Sequence, residues 1–325
     1  MNQMKGKVVL ITGSNEGIGK QTAYELASMG ATVLLHAKDF LRGSAVLNCL
    51  RKKLPAAAFD LFIADFGRRH EIEQMATDIK AAYRKVDVLV NNESVFMDER
   101  KLTADTIEQT FSINHLAPFF LTHLLLPLLR NAAGARIINV CSHAHYIAKF
   151  DIRNLQGEKA FDGTTSYCLS KLCNLLFTYA LAEKLDPQQI SVNAVHPGSF
   201  AVSARKNLFG QPAGQTDEDG ADTIVYLASS DEVYAASGMY FSTRMPVQSS
   251  YASYNKKFQD KLWKLSEHLA IINGYTTSID KFSFSRPVRP QNFFREKAGR
   301  IVSRIRSWLA DESPTSKYYY QDNRG

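Results

Sequence analysis

One stretch, Val8 to Gly19, constrains this chain more than any other. Four apolar residues, Val8-Val9-Leu10-Ile11, run straight into Thr12-Gly13-Ser14-Asn15-Glu16-Gly17-Ile18-Gly19. An unbroken apolar run of this length suits a strand buried on both faces of a parallel sheet. The glycines leave the turn after it without side chains. From Lys20 to Met29, Ala23, Leu26 and Ala27 recur at helical spacing, so the turn feeds a helix N-terminus whose first N–H groups have no partner within the helix. A phosphate can approach such a turn closely, which predicts a seat for the diphosphate of a dinucleotide. The spacing is Gly-x-x-x-Gly-x-Gly and not the common Gly-x-Gly-x-x-Gly, so this stretch alone leaves an ordinary strand-to-helix turn open.

The rest of the chain extends the pattern. Thr32–His36 reads as a second strand, Leu61–Ala64 as a third ending in Asp65, Val86–Val90 as a fourth ending in Asn91-Asn92, and Arg136–Cys141 as a fifth ending in Ser142. Helical stretches lie between them, including one with Ile72, Met75, Ala76 and Ile79 on one face and a long apolar one from Ala104 to Leu129, broken or kinked near Pro118. This alternation predicts an α/β protein with a Rossmann-like, doubly wound parallel sheet. Residues 1–245 are expected to form that domain, 246–272 a helix packed on its core, and 273–325 a basic, partly disordered tail.

In such a sheet ligands bind beyond the carboxyl ends of the strands. That rule gathers Gly13, Asp65, Asn91, Ser142 and His196-Pro197-Gly198 from distant positions. Lys38 follows the second strand where a basic residue would take a 2′-phosphate, with Arg42 one turn on, so NADP(H) is favoured over NAD(H). Asp39 beside it and Glu16 in the glycine turn carry the opposite charge. Tyr167 and Lys171, four apart on one predicted helix, share a face, so the ammonium is expected to lower the phenol's pKa toward neutrality.

Thr12-Gly13-x-x-x-Gly17-Ile18-Gly19, Asn114, Ser142, Tyr167-x-x-x-Lys171 and Pro197-Gly198 together resemble the short-chain dehydrogenase/reductase family, over roughly residues 5 to 245. Three further stretches resemble its retinol dehydrogenase and lipid-carbonyl reductase branch: Gly19-Lys20-Gln21-Thr22-Ala23, Asn154-Leu155-Gln156-Gly157-Glu158-Lys159, and Lys261-Leu262-Trp263 with Leu265-Ser266-Glu267. The resemblance implies hydride exchange between a nicotinamide cofactor and a small apolar or lipid-like alcohol or carbonyl. Tyr167 would be general acid or base, Ser142 would bind the same oxygen, Lys171 would hold the nicotinamide ribose, and Asn114 would hold a water leading from Lys171 to solvent. Gly13, Ser14, Asn15, Gly17, Ile18, Gly19, Lys38, Asp65, Asn91, Pro197, Gly198 and Ser199 would line the cofactor. It also implies pairing of subunits through the helices bearing Asn114 and Tyr167.

The sequence departs from that family at two places. Glu93-Ser94 stands where Ala-Gly usually follows the two asparagines, and Val202 where a threonine usually holds the carboxamide, with Ser199 or Ser203 as substitutes. These departures keep a second reading open, a catalytically silent nucleotide-binding protein that acts through its tail.

Composition bears on the remaining classes. Of the formal charge of +7 over 325 residues, all is accounted for between 281 and 306, where eight basic residues face one acid, Glu296. Within that segment Phe294, Ala298, Ile301, Ile305 and Trp308 form an apolar stripe bordered by arginines, suited to the surface of a membrane or to a docking helix; nucleic acid is the weakest of these readings. Four cysteines without paired spacing suggest free thiols in a reducing, cytoplasmic setting, and His143-x-His145 lacks the further ligands of a zinc site, so no metal is expected. Leu116–Leu129 is too short to span a bilayer and is expected to be a buried helix. Ser199–Asp222, rich in glycine, is expected to form a lid over an apolar substrate.

Overall fold

The computed structural model describes residues 3–198 and 216–271. Its centre is an eight-stranded sheet in the order β3-β2-β1-β4-β5-β6-β7-β8. These strands are β1 (Val8–Ile11), β2 (Thr32–Ala37), β3 (Phe59–Ile63), β4 (Val88–Asn91), β5 (Ala135–Val140), β6 (Ile190–His196), β7 (Met239–Ser242) and β8 (Met245–Val247). All neighbours are parallel except β7 and β8. The chain order reverses between β1 and β4, which opens a crevice at their carboxyl ends. β1 and β4 are apolar on both faces because helices cover both sides, as the uniform runs Val9-Leu10-Ile11 and Val88-Leu89-Val90, all buried, require.

Helix α1 (Gly17–Ser28) begins inside the glycine turn, with Gly17 at its boundary and Gly19 in its first turn. It packs on the helix Asp217–Ser229, while α2 (Phe40–Lys53) lies on β2 and β3. On the other side α3 (Arg69–Ala82) packs on the long apolar segment that follows β4. That segment begins later than the helix from Ala104 that its hydropathy predicts, and the break or kink expected near Pro118 is a π-helical turn just before that proline. Glu108 instead caps α4 (Gln109–Phe111), accepting from the N–H groups of Thr110 and Phe111, and a π-helical turn, Ser112–Leu116, leads into α5 (Ala117–Arg130). Pro118 sits in the first turn of α5, where its missing N–H costs nothing, so the irregularity falls before the proline. The stretch 109–130 is apolar and long enough to cross a membrane, yet 89% of its most apolar window is buried inside the protein. This agrees with a core helix.

Helix α6 (Gly163–Ala182) carries the Tyr-Lys pair and is buried along most of its length. After β6, the expected lid runs over residues outside the described set as far as 215; its last part is instead α7 (Asp217–Ser229), whose capping box joins Thr216 and Asp219. Helix α8 (Lys256–Ile271) lies across α6, with Leu262 packed on Leu172, Cys173 and Leu176. Trp263 meets the rings of Phe119, His123 and Phe177. The basic segment 281–306 and Val202 lie outside the described residues.

Candidate active site

The glycine turn is held from three directions. Thr12 Oγ1 accepts from the N–H groups of both Asn92 and Glu93, at 2.9 Å each. Asn92 Nδ2 donates to the carbonyls of Thr12 and Gly13. From β2, His36 Nδ1 accepts from Gly13 N–H at 2.9 Å, and its Nε2 donates to Ala64 O at 2.9 Å, so the two partners fix one neutral tautomer. Burial pushes the imidazole down to about 4 and keeps it neutral. Gly13 and Gly17 have φ of 61° and 53°, the left-handed region that favours glycine. A Cβ at Gly19 would meet Gly13 O at 2.3 Å, so this turn and the start of α1 pack backbone to backbone.

These residues fit a dinucleotide. Glu16, at the N-cap of α1, makes no side-chain cap bond, so its carboxylate does not take up the first turn's N–H groups, which an anion could use. Ser14 is committed to His36 on both its N–H and its hydroxyl, so it shapes the turn, and Asn15 lies beside it. Lys38 pairs with Asp65 at 3.1 Å, uniting two of the expected cofactor residues in one ion pair, while Asp39 caps α2 by accepting from Arg42 N–H. Asn91 Nδ2 donates to Thr122 Oγ1 and Asn139 Oδ1 inside the core; its Oδ1 is buried without a partner. Pro197 and Gly198 follow β6, and Ser199 lies outside the described residues.

The structure brings Ser142, Tyr167 and Lys171 together at the ends of β5 and α6. Ser142 caps a short 3-10 turn by accepting from Ala144 N–H. Tyr167 is 7% exposed, packed near Phe96, with Lys171 Nζ 5.4 Å from its ring centre. Lys171 itself is 2% exposed, its Nζ 3.4 Å from Val140 O. Burial dominates both groups. It pushes the Tyr167 phenol up to about 12, against the pull of the Ser94 and Ser142 hydroxyls, and brings Lys171 down to about 8. The expectation that Lys171 makes a tyrosinate accessible near neutral pH is therefore corrected for the chain alone: burial raises the phenol's pKa.

Asn114 lies in the π-turn. Its Oδ1 accepts from Val95 N–H at 2.7 Å and its Nδ2 donates to Val95 O and Ser170 Oγ. The amide thus clamps the strand-end segment 93–96 onto α6, and both of its N–H donors are occupied. Sequence reasoning missed this clamp, together with Thr12, His36 and Asn92, because each acts through backbone groups that composition does not reveal. It also missed Ser94, whose buried hydroxyl finds no well-formed hydrogen bond yet lies near enough to the phenol to lower its pKa. Beyond β6, the rings of His143 and His196 stack with centres 3.6 Å apart, and no group of side chains suited to a metal occurs among the described residues.

A nucleotide-binding crevice at a topological switch point, with a buried tyrosine, lysine and serine beside it, defines an NAD(P)-dependent oxidoreductase. Residues 7–213 match the short chain dehydrogenase family. The chain belongs to that family. Retinol dehydrogenase 12 of Mus musculus is 36% identical over 272 residues, covering 81% of this chain and 86% of the relative. Retinol dehydrogenase 11 of Homo sapiens is 35% identical over 272 residues with the same coverage. A solved structure of an uncharacterized protein from Mycobacterium paratuberculosis superimposes with a TM-score of 0.68 at 30% identity, covering 82% of this chain and 93% of that one.

Proposed function

We propose that the chain is an NADP(H)-dependent enzyme interconverting an alcohol and a carbonyl on a small apolar or lipid-like substrate, retinoid-like or another aldehyde or ketone. The observation that carries this reading is the convergence of Ser142, Tyr167 and Lys171 on one side of the crevice, with the glycine turn on the other. The cofactor would supply or accept the hydride. Tyr167, protonated at neutral pH, would donate its proton to the carbonyl oxygen in reduction, and Ser142 would hydrogen-bond that oxygen and stabilise its charge. Lys171 would face the cofactor's ribose. Lys38 supports the phosphorylated nucleotide: its ammonium is exposed and its pair with the half-buried Asp65 is worth about 0–1 kcal/mol, which a 2′-phosphate could replace.

Titration with NADPH and NADH followed by nucleotide fluorescence, then a panel of aldehydes and ketones including retinal, tests the reading. Tight NADPH binding with oxidation on some carbonyl is the expected result. Binding without turnover on any carbonyl would favour the silent nucleotide-binding alternative, which rests on Glu93-Ser94. Peripheral membrane contact through 294–309 is supported by sequence alone; unchanged liposome co-sedimentation of a chain with Arg300, Arg304 and Arg306 all changed to Ala would remove it. A cytoplasmic setting rests on the free cysteines, and a homodimer on the family resemblance. Because α8 covers α6, any such pairing must include α8 or use another face; sedimentation of a monomer would remove the dimer.

A further inference from the structure

We propose that Glu93 is a proton-linked gate on the nucleotide site: its carboxylate lies on the bare face of Gly13, so nucleotide binding requires that charge to be neutralised or moved aside. The inference rests on the nucleotide-binding reading above. Two geometric observations carry it. A Cβ built at Gly13 would meet Glu93 Oε2 at 2.7 Å and Glu93 Cα at 3.0 Å, so the carboxylate fills the space that glycine leaves open in the turn expected to receive a diphosphate. The segment cannot drift away to make room, because Thr12 Oγ1 accepts from Glu93 N–H and Asn114 clamps Val95 two residues on.

Electrostatics point the same way. Groups from every neighbouring element bear on this carboxylate: Glu16 from the glycine turn, His36 from β2 with Nδ1 3.9 Å from Oε2, Lys38 from the loop after β2, and Lys171 from α6. His36 is neutral throughout the physiological range, so it offers no cation. Burial and Glu16 push the Glu93 carboxyl up to about 7, against Lys38 and Lys171. The ionised form also sustains the charge of Lys171. Glu93 thus offers to Lys38 and Lys171 the negative charge that a bound nucleotide would bring. Two anions cannot share that site without a proton or a displacement.

The consequence is a single-proton linkage. With a carboxyl titrating near 7 that must be neutral for tight binding, affinity falls about tenfold between pH 6 and pH 8, and nucleotide uptake above pH 7 draws in a proton. NADH is the cleaner probe, since it has no titrating 2′-phosphate. The full-length chain is titrated with NADH at pH 6, 7 and 8 at constant ionic strength, alongside Glu93→Gln and Glu93→Ala. Proton uptake is read independently by calorimetry in buffers of different ionisation enthalpy. The expected result in the parent chain is a pH dependence of at least tenfold between pH 6 and pH 8 with net proton uptake at pH 7; Glu93→Gln loses the uptake at pH 7 and keeps only the shallower decline that Lys171 imposes near pH 8, and both variants bind more tightly than the parent at pH 8. Circular dichroism melts confirm that the variants fold, and the isosteric Gln serves if Ala does not. Equal affinity of parent and Glu93→Gln at pH 8, with no proton uptake, overturns the gate and leaves the oxidoreductase reading standing. Failure of the parent and both variants to bind NADH or NADPH at any pH overturns both.

Discussion

In the proposed reaction Tyr167 would serve at neutral pH as a proton donor, because burial stabilises its neutral form. Burial also brings Lys171 down to about 8, which together with Glu93 at about 7 lies in reach of ordinary assays. In the proposed reaction, loss of the Lys171 charge on raising the pH through about 8 would remove the cation expected to face the ribose, so reduction is expected to weaken above pH 8. Tyr167→Phe keeps the ring against Phe96 and removes only the transferable proton. It is expected to retain nucleotide affinity within about threefold while kcat falls by 10²–10⁴, the usual contribution of a positioned acid. Stopped-flow turnover with a carbonyl found in the panel checks this, and full activity in the variant would sink the assignment. The Tyr-x-x-x-Lys spacing was legible in the sequence because four residues on a helix share a face. The sign of the tyrosine's shift was not, because it depends on how completely Ala144, Ala148 and Phe96 exclude water.

At the scale of the element, the site depends on an irregular turn and a late helix. The π-turn Ser112–Leu116 places Asn114 where its amide can meet both edges of Val95, something a regular helix through 104–129 would not arrange at the same point. Helix α8 then buries the outer face of α5 and α6: Trp263 is 6% exposed among Phe119, His123 and Phe177, and Ser266 Oγ meets His115 Nε2 at 2.9 Å. Trp263→Ala is expected to cost about 3–5 kcal/mol through the cavity left behind. A denaturant melt reads this as a lower midpoint at unchanged m. Loss of less than 1 kcal/mol would mean α8 is only loosely docked. The amphipathic stripe Phe258, Leu262, Leu265 and Leu269 gave this helix away in the sequence, and its packing on the core follows from that stripe. Which helices it would cover did not follow, since an apolar stripe specifies a need for burial and not a partner.

Over the whole molecule the candidate site residues meet because the sheet reverses direction between β1 and β4, and among the described residues burial holds His36, His115, His145 and His196 neutral. His36 and His145 are pushed down to about 4, His115 and His196 to about 3, all by burial. Each folded pKa lies below the unfolded value, so the unfolded chain binds more protons and stability is lost as pH falls below 6.5 toward 4. Between pH 7 and 5 each imidazole removes on the order of 2 kcal/mol. Glu93, shifted upward, acts in the opposite sense between 7 and 4.5 and offsets about one of them. The thermal midpoint is therefore expected to be clearly lower at pH 5 than at pH 7, and an unchanged midpoint would show that the imidazoles are hydrated. The sequence by itself determined the α/β architecture, the glycine turn at a helix N-terminus, and the Tyr-Lys face, because each is written in local periodicity and local backbone freedom. Only the tertiary structure decided that Glu93 lies on Gly13, that His36 and Thr12 hold the turn, that Asn114 clamps Val95, and that burial raises the pKa of the phenol. Those depend on distance between chain-remote groups and on exclusion of water, which no local pattern encodes.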